Sequence, residues 1–301
     1  MDGPVASGRR WLNDAKMSQA IRPLANAHCH TGENPYYRPD DATVWYVDIP
    51  PGRVYRYDTT TGTQATIVDG PGPIGGFTLQ RNGDWLLFRG KDVATLSPAG
   101  VVTSVLPFTE PGADRFNDVQ ADPEGRVFAG TFNGKQDGAG LYRIERDGRV
   151  VPLFKGTGCS NGMGFTPDGR HLYWTDSTAN KIYRFRYHRA TGELTDRELF
   201  YAAEPGEGTC DGMAVDENGD VWSARWGGGN VTRLGTDGRV KEHVEMPVKV
   251  VSSCFFGGPD GKTLYVTTAD GKAGSDTADG TLYSVDVGVR GLPEPRSAIL
   301  I

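Results

Sequence analysis

The sequence predicts an all-β protein folded as a six-bladed β-propeller. Two recurring strand types and the lack of convincing helical periodicity outside residues 11–20 support this prediction. A short apolar strand follows a turn centred on Gly or Asp six times, at intervals of 41 to 49 residues. The first residues of these strands are Val44, Trp85, Val127, Leu172, Val221 and Leu264. Short strands with a period of about 40 to 50 residues are typical of propeller blades.

Each repeat contains three recognisable strands and a weaker fourth. The innermost strand opens on a small or polar residue, the second follows the turn, and the third alternates apolar and polar residues. The third strands begin at Val54, Val93, Leu141, Ile182, Val231 and Leu282. Outer strands are predicted near residues 101–106, 150–154, 198–201 and 240–245. Their weak patterning fits edge strands, which have a partner on one side only.

The continuous repeat predicts one domain over residues 17–301, preceded by a peripheral extension at residues 1–16. Residues 20–27 are predicted to form a strand that completes the last blade. Such a strand would join the two ends of the chain and remove the open edges of the ring. The C-terminal residues 297–301 are the alternative segment for this closure.

Composition narrows the range of partners and compartments. The formal net charge of -6 gives no basic footprint for nucleic acid. No run of about 18 apolar residues predicts a membrane span, and the first 16 residues have no apolar stretch typical of a signal peptide. The four cysteines show no CxxC spacing, which favours reduced thiols. We therefore expect a cytoplasmic monomer or small homo-oligomer without nucleic-acid or membrane partners.

One residue opens the innermost strand of each blade, 10 or 11 positions before the second strand. These residues are Glu33, Gly75, Asn117, Asn161, Asp211 and Ser253. In a propeller, equivalent positions of the blades surround one mouth of the central channel. The sequence therefore predicts a ring that carries two carboxylates and two amides.

The ring has the donor chemistry of a cation site. Two neighbouring carboxylates repel each other unless a positive charge lies between them, and hard oxygen donors suit a hard divalent cation. Calcium accepts 6 to 8 oxygens, which leaves places for water and substrate, so Ca²⁺ is the expected ion. Zn²⁺, Mn²⁺ and Mg²⁺ are alternatives. A second interpretation is that these side chains only satisfy backbone groups at the channel mouth.

Motifs around the ring resemble the senescence marker protein (regucalcin) and gluconolactonase family. They occur in order and span the chain from about Gly32 to Val285. The matching segments include Thr31-Gly32-Glu33-Asn34-Pro35, Arg115-Phe116-Asn117-Asp118, Ser160-Asn161-Gly162-Met163, Thr175-Asp176-Ser177 and Asp211-Gly212-Met213. The resemblance implies a six-bladed propeller that uses one divalent cation, of the calcium type, to hydrolyse a small-molecule sugar lactone.

The resemblance also implies roles for individual residues. Glu33, Asn161 and Asp211 would bind the metal directly, and Asn117 would contact it directly or through water or substrate. Arg115 would hold substrate oxygens together with Asn117. Asp211 would also be the catalytic base.

Two segments depart from the family pattern and are expected to affect the choice of substrate. Asn34 replaces the second glycine of the family's first motif and is followed by Tyr36 and Tyr37, which predicts a more polar and aromatic rim. Residues 130–136 lack the acidic sugar contact that relatives often carry there. Cys159 and Cys210 lie beside the ring, where inert buried thiols are the expected state.

Other activities fit the same fold. A similar oxygen-ligated site would support hydrolysis of phosphotriester or fluorophosphate bonds, and a non-catalytic metal-binding propeller is the alternative from another class of protein. Because propellers host many functions, the fold alone does not decide between them. The ring of four polar positions favours an enzyme over a scaffold, and the family resemblance implies a lactone hydrolase with a metal-activated water.

Overall fold

The computed structural model describes residues 20–135, 137–270 and 279–301. Within these residues it contains 24 strands and no helix. The strands form six antiparallel sheets of four strands each, which confirms the predicted six-bladed propeller. The predicted extension at residues 1–16 lies outside the described residues. Nowhere in the described ranges is there a helix long and apolar enough to cross a membrane.

The strands are numbered in chain order, and the first, β1, is Arg22–Asn26. Blades one and two contain β2 Gly32–Arg38, β3 Thr43–Asp48, β4 Arg53–Asp58, β5 Thr63–Asp69, β6 Ile74–Leu79, β7 Trp85–Arg89, β8 Asp92–Leu96 and β9 Val102–Pro107. Blades three and four contain β10 Arg115–Ala121, β11 Val127–Phe132, β12 Ala139–Ile144, β13 Val150–Thr157, β14 Ser160–Phe165, β15 His171–Asp176, β16 Lys181–His188 and β17 Glu193–Ala202. Blades five and six contain β18 Thr209–Val215, β19 Val221–Trp226, β20 Asn230–Leu234, β21 Val240–Glu245, β22 Val251–Gly257, β23 Thr263–Thr268 and β24 Thr281–Asp286.

The N-terminal strand closes the ring of blades. β1 pairs antiparallel with β24 and becomes the outer strand of blade six, as predicted for residues 20–27. The innermost strands β2, β6, β10, β14, β18 and β22 each contact the innermost strands of both neighbouring blades. These six strands therefore line a central channel.

The C-terminal segment does not close the ring, so the alternative closure is wrong. Ser297 forms an isolated parallel bridge with Gln80, which follows β6. Farther along, the backbone N–H of Ala298 donates to the carbonyl of Gly125 at 2.8 Å. Because Gln80 and Gly125 follow the far ends of β6 and β10, the segment runs across the face opposite the predicted ring.

Left-handed backbone conformations make the turns between first and second strands. Gly83, Gly125, Gly169, Gly219 and Gly261 have positive φ angles between 64° and 93°. Glycine adopts such angles without a steric penalty, which explains why the repeat is so visible in the sequence. Blade one lacks this glycine, and Ala42 adopts a φ of 53° there.

Six hydrophobic clusters fill the spaces between adjacent blades. Between blades five and six, Trp222 packs edge-on against Phe256 with ring centroids 5.7 Å apart. Between blades one and two, the Trp85 ring packs against those of Tyr36 and Trp45. Burying one large apolar side chain contributes about 1.5 to 3 kcal/mol. The core is thus distributed around the ring, and the position of each blade depends on both of its neighbours.

Candidate active site

The four polar ring positions lie near the starts of four innermost strands, as the repeat predicts. Glu33 is in β2, Asn117 in β10, Asn161 in β14 and Asp211 in β18. Only 4 to 5% of the surface of each residue is exposed. Positions that are far apart in the sequence therefore gather at one end of the channel.

A β-bulge interrupts every innermost strand at the ring. In β10 the register with β11 shifts between Phe116 and Val119, and the pairing of the other five innermost strands shifts at the corresponding place. Regular strands send successive side chains to opposite faces. A bulge breaks that alternation and re-aims side chains. Asn117 and Asp118 both fall within the unpaired part of β10.

Asn161 and Asp211 are in direct contact across blades four and five. Asn161 Nδ2 donates hydrogen bonds to Asp211 Oδ1 and, at 3.0 Å, to Ser177 Oγ. The backbone N–H of Gly162 donates to Asn161 Oδ1 at 3.2 Å. The amide of Asn161 is therefore oriented by groups from both blades.

Arg115 brings a positive charge to the same mouth. Its Nη1 donates to Asn117 Oδ1 at 2.6 Å and to the carbonyl of Phe116 at 2.8 Å. Its guanidinium carbon lies 4.3 Å from the centroid of the Phe132 ring. Asn117 in turn donates through Nδ2 to the carbonyl of Ser160 at 3.0 Å. Arg115 and Asn117 thus form one connected unit beside Asn161.

The buried carboxyl groups of the mouth resist ionisation. Burial raises the pKa of Glu33 well above its ordinary value, and the negative charges of Asp211 and Asp118 raise it further. Burial and the charge of Asp118 likewise raise the pKa of Asp211, whereas the hydrogen bond from Asn161 lowers it. A cation between these groups would remove the cause of the repulsion.

Asp118 is a charged residue of the mouth that the sequence interpretation missed. Burial raises its pKa to about 7, and the positive charge of Arg115 opposes this rise. Strand alternation predicts that Asp118 points away from the side that Asn117 occupies. The bulge in β10 breaks this alternation. In the sequence, the only sign of a second polar group at this ring position is that Asp118 directly follows Asn117.

Gly75 holds a ring position because blades two and three approach closely there. A Cβ atom added at Gly75 would lie 2.3 Å from the carbonyl oxygen of Phe116. No side chain fits at that distance. The ring is therefore chemically asymmetric, with carboxylates or amides on blades one, three, four and five, a glycine on blade two and Ser253 on blade six.

The donor set fits a hard divalent cation. Two carboxylates and two amides supply oxygen donors. Burial and the charge of Asp118 raise the pKa of both Glu33 and Asp211, and a bound cation would relieve the charge repulsion. In the described part of the chain, no group of three or more His, Cys, Asp or Glu side chains is arranged to hold a metal. A cation here would therefore need the amide oxygens of Asn161 and Asn117 beside the carboxylates, and oxygen donors of this kind suit a hard cation.

The two cysteines beside the ring have high pKa values. Burial is the main cause that raises the pKa of the Cys159 thiol and that of the Cys210 thiol. A thiol that stays protonated is a poor nucleophile and a poor metal ligand. The structure thus agrees with the expectation of inert thiols.

The expected aromatic rim is wrong. Tyr36 and Tyr37 are 5% and 8% exposed and belong to hydrophobic clusters between blades. Tyr36 stacks on Phe255 with centroids 5.0 Å apart, and Tyr37 stacks on Tyr265 at 5.7 Å. They lie in β2 beyond its bulge, where burial between blades stabilises large aromatic side chains more than exposure at a rim does.

Fold and site together define a six-bladed β-propeller with a buried cluster of oxygen donors at one channel mouth. A sequence model of the SMP-30/Gluconolactonase/LRE-like region matches residues 31–270. The chain therefore belongs to this family, which confirms the resemblance inferred from its motifs.

Individual relatives cover almost the whole chain. The pentonolactonase XacC of Haloferax volcanii is 40% identical over 295 residues, which span 93% of this chain and 98% of the relative. The 6-deoxy-6-sulfogluconolactonase of Pseudomonas putida is 30% identical over 291 residues, or 94% and 100% of the two chains. Regucalcin from Agrobacterium tumefaciens, described as a calcium-binding protein, has a crystal structure with a TM-score of 0.84 and 26% identity over 92% and 97% of the chains.

Proposed function

We propose that this protein is a lactonase that depends on a divalent cation, with Ca²⁺ as the expected ion and a sugar lactone as the substrate. The observation that carries the proposal is the meeting of Glu33, Asn161 and Asp211 at one buried mouth, with Arg115 and Asn117 beside them. Relatives named as lactonases support the reaction class. The description of regucalcin as a calcium-binding protein supports the cation.

Four residues would hold the cation: Glu33, Asn161 and Asp211 directly, and Asn117 directly or through water or substrate. When bound, a divalent cation polarises the lactone carbonyl and stabilises the negative charge that develops on its oxygen. Asn117 Oδ1 already accepts a hydrogen bond from Arg115. An amide oxygen has two lone pairs, so one remains for the cation or for a water.

Asp211 is proposed as the general base. Its Oδ1 accepts the hydrogen bond from Asn161, which leaves Oδ2 to take a proton from the attacking water. The water oxygen forms a bond to the carbonyl carbon, and the ring C–O bond breaks. The proton then passes from Asp211 to the departing alkoxide oxygen, and the product is an open hydroxy acid.

Arg115 is proposed to orient the substrate. In the described residues both of its hydrogen bonds come from Nη1, so Nη2 is available to a hydroxyl or carbonyl oxygen of the lactone. Burial lowers the pKa of Arg115, while the charges of Glu33 and Asp211 raise it. A fixed guanidinium at this place would orient the lactone toward Asp211.

The number of carbons in the sugar lactone is a finer part of the proposal. The identity of 40% to a pentonolactonase favours a five-carbon aldonolactone over the six-carbon gluconolactone. No contact among the described residues favours the two alternatives, which are hydrolysis of a phosphotriester or fluorophosphate and a non-catalytic scaffold. Cytoplasmic location and a monomer or small homo-oligomer remain predictions.

Acid release from pentono-, glucono- and simple aliphatic lactones tests the proposal. We expect turnover of a pentonolactone that is lost with a chelator, and a fall of about 10² to 10⁴ in kcat for Asp211→Asn. Asp147→Asn is the matched control, because Asp147 is exposed on a turn of blade three. Turnover that survives both chelation and Asp211→Asn would contradict the proposed mechanism, and turnover of a phosphotriester alone would favour the alternative.

A further inference from the structure

Three equivalent hydrogen bonds hold the backbone just before the three proposed direct ligands. In each case the carbonyl of the preceding residue accepts a hydrogen bond from a side chain of the preceding blade around the ring. The three pairs are Ser252 Oγ to the Gly32 carbonyl, Asn117 Nδ2 to the Ser160 carbonyl at 3.0 Å, and Ser177 Oγ to the Cys210 carbonyl at 2.7 Å. The same contact thus recurs before Glu33, Asn161 and Asp211.

The β-bulges explain why such contacts matter. In blade five the pairing of β18 with β19 is interrupted between Cys210 and Met213, which leaves Asp211 outside the regular ladder. Ladder hydrogen bonds normally fix the backbone of a strand. Just before Asp211, the side chain of Ser177 from blade four helps to fix the backbone through its hydrogen bond to the carbonyl of Cys210.

Ser177 connects this contact to a second proposed ligand. It accepts from Asn161 Nδ2 at 3.0 Å and donates to the carbonyl of Cys210 at 2.7 Å. A serine hydroxyl has one hydrogen. Since that hydrogen is used on Cys210, Asn161 has to present its NH₂ group to Ser177 and keeps Oδ1 as the atom for a cation.

Asn180, in the same turn as Ser177, holds the other backbone group of Cys210. Its Oδ1 accepts from the backbone N–H of Cys210 at 2.7 Å, and its Nδ2 donates to the carbonyl of Gly208 at 3.0 Å. Asn180 has a φ of 53°, a conformation that asparagine tolerates better than most residues. The turn between β15 and β16 therefore holds Cys210 at both its N–H and its carbonyl.

We propose that Ser177 is a positioning residue that sets the geometry of Asn161 and Asp211 together, through one hydroxyl shared between blades four and five. The inference rests on the proposed function for its effect on catalysis, but its effect on the backbone stands on the structure alone. Ser177 has no role in the chemistry itself. It makes the orientation of two ligands depend on the contact between their blades.

Three variants test the proposal. Ser177→Ala removes the hydroxyl, and Ser177→Thr restores it. Thr175→Val is the matched control, because Thr175 Oγ1 is buried on the neighbouring strand β15 and has no hydrogen-bond partner among the described residues. Hydrogen exchange of the segment 209–215, Ca²⁺ binding by calorimetry and the kcat and KM for the lactone are measured for each variant.

We expect Ser177→Ala to speed exchange in segment 209–215 about fivefold and to weaken Ca²⁺ binding and lower kcat by a similar factor, with KM little changed. Ser177→Thr should recover all three quantities, and Thr175→Val should match the parent protein. Unchanged exchange and unchanged Ca²⁺ binding in Ser177→Ala would overturn the inference, even in an active lactonase. If exchange is faster in Ser177→Ala but the parent protein neither binds Ca²⁺ nor opens lactones, the result would support the positioning role and contradict the proposed function.

Discussion

Three carboxyl groups share the channel mouth with one guanidinium. Glu33, Asp118 and Asp211 each have a raised pKa, with burial as the largest cause. Arg115 offsets only part of their charge when all three ionise. Because charges of the same sign face one another, the proposed site would lower the stability of the cation-free protein and raise its affinity for a cation.

Asp118→Asn separates these two effects. Removing one buried like charge should raise the free energy of unfolding of the chelated protein by about 1 kcal/mol at pH 8. The same change should weaken Ca²⁺ binding several-fold, because less negative charge faces the cation. Urea unfolding with chelator and calorimetry with Ca²⁺ measure the two quantities. A less stable chelated variant would argue against charge repulsion at the mouth.

Glu294, on the C-terminal segment, is another buried carboxyl with a raised pKa. Its Oε1 is buried without a hydrogen-bond partner among the described residues, and burial raises its pKa from 4.5 to about 8. A carboxyl with a raised pKa binds its proton more tightly in the folded state than in the unfolded state. Its contribution to stability therefore falls as the pH rises from about 4.5 to about 8.

Glu294→Gln should remove this pH dependence. At pH 5 the variant and the parent should unfold at similar denaturant concentrations, because the parent carboxyl is neutral there. At pH 9 the variant should be more stable by about 2 kcal/mol. Denaturant unfolding at both pH values is the measurement, with the exposed Glu193→Gln as control. Equal stability at pH 9 would mean that the carboxylate is solvated.

Single polar contacts also join whole elements. Arg126 directly precedes β11 and forms an ion pair of 2.6 Å with Asp122, whose side chain is fully buried. Tyr187 of β16 donates to Asp122 Oδ2 at 2.8 Å and accepts from Arg126 Nη2 at 3.1 Å. This network connects blades three and four at the end of the channel opposite the ring.

Arg126→Ala should lower the free energy of unfolding by about 3 kcal/mol, because it leaves the buried carboxylate of Asp122 without its counter-charge. Arg149→Ala is the control. The Arg149 side chain is 67% exposed, so its loss should change stability by less than about 0.5 kcal/mol. Denaturant unfolding compares the two variants. Similar small losses in both would show that water reaches Asp122.

At the scale of elements, local sequence patterns predict the strands but not their irregularities. The turn glycines, such as Gly83 and Gly219, make second strands visible because only residues that tolerate positive φ fit there. Counting back from those turns predicts the ring position at Asn117, which lies in β10. Counting does not reveal the bulge beside it, because a bulge depends on pairing between strands, and Asp118 was missed for that reason.

Contacts between blades are the part of the site that local sequence patterns do not predict. Ser177 belongs to a motif of the family, yet its hydrogen bond to Cys210 exists only because blades four and five meet there. The positions of Tyr36 and Tyr37 were misjudged for the same reason. Neither local pattern nor spacing tells which neighbouring blade covers a side chain.

At the scale of the whole molecule, closure of the ring depends on a strand from the opposite end of the chain. β1 supplies the outer edge of blade six through its pairing with β24. Because the core is divided among the six blade interfaces, loosening one blade exposes two of them. The stability of the propeller therefore depends on β1 more than its five residues would suggest.

A chain that begins at residue 28, and so lacks β1, tests this dependence. We expect its thermal midpoint to fall by about 10 °C or more, since several kcal/mol of burial and pairing are lost. A chain that begins at residue 17 is the control, and it also tests the predicted peripheral role of residues 1–16. Calorimetry gives both midpoints. Equal midpoints for the two truncated chains would contradict closure by β1.

We propose that one cation at the ring of Glu33, Asn117, Asn161 and Asp211 is required to open a lactone. The most direct measurement adds Ca²⁺ stepwise to chelated protein and records bound Ca²⁺ and acid release from a pentonolactone in the same samples. We predict one bound ion per chain and acid release in proportion to its occupancy. Full acid release at zero occupancy, or saturation of the site without any turnover, would contradict the proposed requirement for a cation.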